Sequence, residues 1–238
     1  MSESAVLSRV EKVFLDTVSE YDLFSPGDGV ILAVSGGKDS FTLFDLVCRL
    51  KETHFPDVKF LACTIQTDIT CSGSIPMRVI RKQAAQYGID FETIYYPIAA
   101  EAAEKGQEVR CFYCALRRRT ALIKLGFKMG YHTIAFGHHL DDLVETLMMN
   151  VIHYGNVSTM APLVPLFEGK IKIVRPIARV AEDDCRQYAE AVTIVPPACR
   201  CPGLDGMIRE TTKQFVADLT RLVPDAKQNL FEVLRRKA

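Results

Sequence analysis

Val30-Ile31-Leu32-Ala33-Val34-Ser35-Gly36-Gly37-Lys38-Asp39-Ser40 is the stretch that decides the fold. Its first five residues form the short, continuous apolar run of a central parallel strand buried on both faces. Two glycines follow, and beyond them Phe41, Leu43, Phe44, Val47 and Leu50 recur at helical spacing. A strand, a glycine turn and a helix start in immediate succession make an anion site. Backbone N–H groups approach a ligand closely where no Cβ stands, and the helix start adds its positive dipole. Lys38 neutralises phosphate charge, Asp39 is a candidate Mg²⁺ ligand, and the hydroxyls of Ser35 and Ser40 are candidate donors to phosphate oxygens. The loop lacks the four-residue arc of Gly-x-x-x-x-Gly-Lys-Ser/Thr, and it is not Gly-x-Gly-x-x-Gly.

Working outward, the pattern of strand and helix repeats. Val6, Leu7, Val10, Val13, Phe14 and Val18 give an amphipathic helix over about 4–24, broken by Ser25-Pro26-Gly27-Asp28-Gly29. Phe60–Ile65, Phe91–Tyr96, Thr133–Phe136 and Ile171–Val174 read as further strands. Helices are expected over Arg78–Tyr87, 112–129, Leu140–Ile152, Ala181–Ala191, and near 205–222 and 225–236. Residues 97–110 and the proline-rich Ala161-Pro162-Leu163-Val164-Pro165 read as loops, and Glu182 and Asp183 as acids favouring a helix start. Alternating strands and helices predict a doubly wound α/β fold with a mostly parallel sheet, one domain over 1–238, binding its ligand beyond the C-terminal strand ends.

Composition narrows the class. Lysine plus arginine and aspartate plus glutamate number 29 each, so no global field draws the protein to nucleic acid; RNA contact requires a local basic patch. No apolar run reaches the ~20 residues of a membrane helix. The polar start Met1-Ser2-Glu3-Ser4 lacks the character of a secretory leader. Eight cysteines in a chain of this length, four of them in two tight pairs, fit metal ligation in a reducing cytoplasm better than a disulfide framework.

Those pairs are Cys111-Phe112-Tyr113-Cys114, opening a helix, and Cys199-Arg200-Cys201 in a proline-rich turn. Zinc held by four thiolates, an iron–sulfur cluster with an open iron, and a redox disulfide at Cys111 and Cys114 all suit this spacing. Gly137-His138-His139-Leu140-Asp141-Asp142 stands at another strand-to-helix junction, where Gly137 would let the backbone approach a bound nucleotide and His138 or Asp141 would line the site; helix capping is the alternative for the two aspartates. Arg117, Arg118 and Arg119 are candidate RNA phosphate contacts, although charge runs are commonly solvated faces.

Ser-Gly-Gly-Lys-Asp-Ser matches the signature loop of the N-type ATP pyrophosphatases. Together with Cys111-x-x-Cys114-x-x-Arg117-Arg118-Arg119, Gly137–Leu147, Val174-Arg175-Pro176-Ile177 and Asn229-Leu230-Phe231, it makes nearly the whole chain resemble the tRNA 2-thiocytidine synthetases. The resemblance implies that Ala33, Ser35, Gly36, Gly37, Lys38, Asp39, Ser40, Gly137 and His138 bind ATP. Lys38, Asp39, Cys111 and Cys114 would carry catalysis, with Mg²⁺ on Asp39. It also implies a [4Fe-4S] cluster on Cys111, Cys114 and a late cysteine, with tRNA as substrate, a sulfur donor such as a cysteine desulfurase, and an assembly compatible with a homodimer. Relatives usually show Pro-Cys-x-x-Cys where this chain has Pro197-Ala198-Cys199-Arg200-Cys201, so Cys199 and Cys201 both stand as the late ligand. The activity implied is adenylation of a base oxygen, at cytidine C2, followed by its replacement with sulfur. The alternatives are thiolation of a uridine or small molecule, and a zinc-stabilised binding module without catalysis.

Overall fold

A computed structural model describes residues 3–69, 75–192 and 206–235. The apolar run becomes β1 (Gly29–Ala33), flanked by β2 (Lys59–Thr67) and β4 (Thr133–Phe136). With β3 (Asp90–Tyr96), β5 (Leu163–Leu166) and β6 (Ile171–Val174) these form one sheet of order β3-β2-β1-β4-β6-β5. All pairs are parallel except β5 with β6. The central strands β1 and β4 are almost wholly apolar because helices cover both faces.

Val30 and Leu32 pack with α1 (Glu3–Glu20), α2 (Lys38–His54), α3 (Met77–Gln86) and α7 (Glu182–Ala191), around Phe14, Phe44, Ile80 and Tyr188. Ile31, one residue out of phase, faces α5 (Cys111–Met129) through Leu122, with Leu61, Ile134 and Ile171 beside it. A third core joins α6 (Leu140–Tyr154), α8 (Gly206–Leu222) and α9 (Ala226–Arg235) through Leu143, Val216 and Phe231.

Three expectations change. Residues 97–110 are not all loop, since Ile98–Glu104 form α4. Its first turn is fixed from outside, the Asp68 carboxylate accepting from the N–H groups of Ala99 (2.8 Å) and Ala100 (2.9 Å). The proline-rich 161–165 contributes β5, in which Pro165 is tolerated because the strand lies at the sheet edge. The first helix ends at Glu20, where Asp22 takes a left-handed φ of 49° and the chain turns into the core at Leu23.

Candidate active site

The sheet order reverses between β1 and β4, a switch point at which successive loops diverge and leave a crevice. Ala33, Cys63 and Phe136 stand level on adjacent strands and line a cavity of about 260 Å³. Ser35, Gly37, Asp39 and Ser40 wall it on one side, Gly137, His138 and Asp142 on another, and Arg118 and Leu122 close it from α5. Gly36 lines a neighbouring cavity of about 420 Å³ with Thr64, Thr67, Tyr95 and, again, Arg118. Most of the expected ATP-binding set is therefore brought together.

The loop holds its own shape. Gly36 adopts a φ of 85°, open at little cost only to glycine. The Ser35 N–H donates to Ser40 Oγ (3.1 Å), the two hydroxyls lie 2.9 Å apart, and Ser40 Oγ donates to the Gly37 carbonyl (3.0 Å). Both hydroxyl protons are thus used inside the loop. The donors left for an anion are the first backbone N–H groups of α2, which no helix bond claims. Gly137 serves a close approach within the protein besides the one expected toward a nucleotide. A Cβ there would stand 2.7 Å from Ser40 Cα and 2.8 Å from the Asp39 carbonyl oxygen, so its bareness lets β4 close against the start of α2.

Lys38 does not line the cavity. Its ammonium lies 3.0 Å from Asp39 Oδ1 and 3.1 Å from Glu182 Oε1 on α7. Burial alone would lower its pKa, but the two carboxylates outweigh burial and hold it above the ordinary value. Glu182 also accepts from Lys213 of α8 (2.7 Å). Burial pushes this carboxyl up, yet the bonds and charges of Lys213 and Lys38 bring it down to about 2. The sequence placed Glu182 only as a dipole acid; its local context carries no sign of a partner 144 residues away.

The aspartates divide their work. Asp142 caps α6 reciprocally with His139, accepting from the His139 N–H (3.2 Å) while His139 Nδ1 accepts from the Asp142 N–H (3.4 Å), and it also lines the cavity. That bond leaves the His139 ring proton on Nε2, facing Asp142 Oδ2 (3.5 Å) and Asp39 Oδ1 (3.7 Å). Asp141, expected to line the site, instead accepts from the Glu182 N–H (2.7 Å) and from Lys227 of α9, fastening two helices to the motif. Arg209 of α8 pairs with Asp142 (2.6 Å). The His138 ring lies 5.6 Å from Phe136, and its Nδ1 is buried without a partner. Burial, then the nearby Arg175 guanidinium, lowers the His138 pKa to about 4, which makes it a neutral group at ordinary pH.

The three arginines differ. Arg117 pairs with Glu101 (3.2 Å) and lies over the Tyr113 ring (4.7 Å). Arg118 reaches from the cavity to the Cys114 Sγ (3.4 Å), the Ile65 carbonyl (3.4 Å) and the Thr67 hydroxyl (3.3 Å). Arg119 is half-buried and adds positive charge beside His138 and Arg175.

None of the five described cysteines forms a disulfide. Burial pushes the Cys63 thiol up to about 12 and raises Cys48 and Cys185 as well, so these are inert core thiols. Cys111 is exposed and Cys114 half-buried at the start of α5, with Arg118 against the Cys114 sulfur. Cys199 and Cys201 lie outside the described residues, and among the described residues no three His, Cys, Asp or Glu side chains gather as a metal site.

Residues 6–195 match the family model described as the PP-loop domain. The chain is 30% identical over 236 residues to the tRNA-cytidine(32) 2-sulfurtransferase of Anaeromyxobacter sp. (strain K), covering 96% of this chain and 80% of that one. The enzyme of the same name from Paracoccus denitrificans (strain Pd 1222) is 30% identical over 219 residues, covering 91% and 73%. Among solved structures, the U34-tRNA thiolase NcsA from Methanococcus maripaludis with its [4Fe-4S] cluster superposes with a TM-score of 0.82 at 20% identity, covering 99% of this chain and 80% of that one. NMN synthetase from Francisella tularensis gives 0.50 at 12% identity, covering 82% and 72%. These two structures share the fold.

Proposed function

The chain belongs to the PP-loop family and within it to the tRNA 2-thiocytidine synthetases, and on that premise we propose that it is an ATP-dependent tRNA sulfurtransferase acting at C2 of a cytidine. The observation that carries the reading is Arg118. One side chain lines the cavity of the phosphate loop and also touches the Cys114 sulfur, so nucleotide activation and thiolate chemistry share a wall.

In the first step the cytidine O2 attacks the α-phosphorus of ATP, forming an O–P bond while the bond to pyrophosphate breaks. The first-turn N–H groups of α2 and the Lys38 ammonium stabilise the charge gathering on the leaving phosphates; Asp39 would hold Mg²⁺, which would add its positive charge there. Neutral His138 and the cavity wall at Phe136 exclude water from the adenylated base. In the second step sulfur bonds to C2, the C–O bond breaks, and AMP leaves with the former base oxygen. Cys111 and Cys114 fit a cluster: neither is in a disulfide, both stand in the first turn of α5, and the exposure of Cys111 leaves room for a third ligand, from Cys199 or Cys201. Cys111, Cys114 and Cys199 or Cys201 would hold a [4Fe-4S] cluster, which would supply the site where sulfur is made ready for transfer. A cysteine desulfurase is the class of donor that replenishes it. The reading treats residues 1–238 as one catalytic unit, working in the cytoplasm; among the described residues no helix is long and apolar enough to cross a membrane.

The test is mass spectrometry of tRNA nucleosides from cells with and without the gene. Selective loss of 2-thiocytidine, restored by the wild-type gene and not by Cys111→Ala, is the expected result. Loss of a thiouridine moves the target, and an unchanged profile in an expressing strain overturns the reading.

A further inference from the structure

Among the described residues, Glu182 is the one carboxylate in the site that holds two lysines from different elements. It reaches Lys38 of the phosphate loop (3.1 Å) and Lys213 of α8 (2.7 Å). Its own backbone is fixed, because its N–H donates to Asp141 Oδ2 at 2.7 Å, and Asp141 is fastened to α9 by Lys227. Glu182 therefore presents its carboxylate from a braced helix start. An ammonium has three donors. Asp39 and Glu182 occupy two of those on Lys38, which sets the direction of the third.

A fixed negative charge beside a site for polyphosphate poses an electrostatic problem. It repels the ligand that Lys38 is there to bind. Lys213 answers it: the pair Lys38 and Lys213 against Asp39 and Glu182 is locally neutral. The bond to Glu182 is the direct ion pair of Lys213 among the described residues, and Glu145 adds a more distant opposite charge. Arg209, one turn earlier on α8, does the same for Asp142 (2.6 Å) and faces Glu145 (3.6 Å).

We propose that Glu182 is a positioning residue for Lys38 and that Lys213 is its dedicated counter-charge, which keeps the phosphate site from being repulsive while Glu182 orients the lysine. The proposal rests on the reading of the loop as an ATP site. Orientation acts on the chemical step and neutrality acts on binding, so the two residues separate in kinetics.

The experiment measures MgATP affinity by equilibrium titration and tRNA-dependent pyrophosphate release at saturating ATP, for the full-length protein and three variants. Glu182→Gln, which keeps shape and removes charge, is expected to lower kcat about tenfold or more without raising the Kd for MgATP. Lys213→Met is expected to raise that Kd about threefold at low salt, with the effect fading at high salt, and to leave kcat near wild type. Combining the two should return the Kd to the wild-type value while kcat stays low. That reversal is what a merely structural role for either residue does not produce. Independent, additive increases in Kd, or a Glu182→Gln enzyme with unchanged kcat, overturn the proposal while leaving the ATP site intact. A wild-type protein that binds no MgATP overturns the ATP reading itself, and this inference with it.

Discussion

Gly137→Ala tests whether the packing of β4 against the phosphate loop is as tight as the structure has it. The added Cβ would lie 2.7 Å from Ser40 Cα and 2.8 Å from Ser40 N, both backbone atoms that no rotamer change can move. Ordinary contact begins at 3.4 Å, so the two segments must part by about 0.7 Å. Overpacking of this kind costs about 1–3 kcal/mol. In a chain of this size each kcal/mol corresponds to roughly 2–4 °C, so the melting temperature should fall by about 2–12 °C. The displaced atoms belong to the first turn of α2, whose N–H groups are the anion donors, and misplacement near 1 Å costs about 10²-fold in rate. Gly37→Ala is the control. Its Cβ meets only Ser35 Oγ at 3.6 Å, and Gly37 has an ordinary φ of −78°. That variant should melt within a few degrees of wild type and show its defect only when MgATP is added, where the backbone must come close to phosphate. Thermal unfolding with and without MgATP separates the two. A Gly137→Ala protein that melts and binds MgATP as wild type does would refute the claim that this glycine serves a close approach to α2.

Lys38→Ala should reduce tRNA-dependent pyrophosphate release by about 10²-fold or more while leaving the melting temperature nearly unchanged, because Glu182 keeps Lys213 as a partner; undiminished release would remove the loop from the ATP site. Protein purified without oxygen should carry about four iron and four acid-labile sulfide per chain, and Cys114→Ala should lose them; stoichiometric zinc without iron would refute the cluster. His138 is held at about 4 in the folded protein against 6.5 when unfolded, so the unfolded chain binds the extra proton between those values. Its contribution is complete above about 6.5 and declines as pH falls toward about 4. Denaturant unfolding should therefore show a steeper loss of stability from about pH 7 to about pH 5 in wild type than in His138→Asn. Parallel curves would mean that the imidazole is not buried as described.

The parts of this protein that were legible in its sequence are those whose cause is local. The run from Val30 to Ser40 announces a strand, a left-handed glycine and a helix start because each residue's requirement is met by its immediate neighbours. The edge strand β5 escaped notice because Pro162 and Pro165 read as a loop, and only the position at the sheet edge makes Pro165 acceptable there. The short helix α4 escaped because its first N–H groups are capped by Asp68, some 31 residues earlier. The two aspartates of the Gly-His-His motif could not be told apart, since successive residues on a helix point about 100° apart and the sequence does not say which direction faces the cavity. Asp142 faces it, and Asp141 serves α7 and α9.

The same distinction accounts for how the site is assembled. Every group that acts on phosphate by proximity alone lies within one strand-loop-helix unit. Two of the contacts that give side chains a direction there come from far along the chain: Glu182 to Lys38 across 144 residues, and Arg118 to the Ile65 carbonyl across 53. Arg118 is the more consequential of the two. It stands one helical turn beyond Cys114 on α5, so the side chain that touches the sulfur is directed at the end of β2 by the helix itself. If α5 began one residue later, the thiolate and the guanidinium would rotate together away from the cavity by about 100°. The register of that single helix thus sets where the Cys114 sulfur stands relative to the cavity of the phosphate loop.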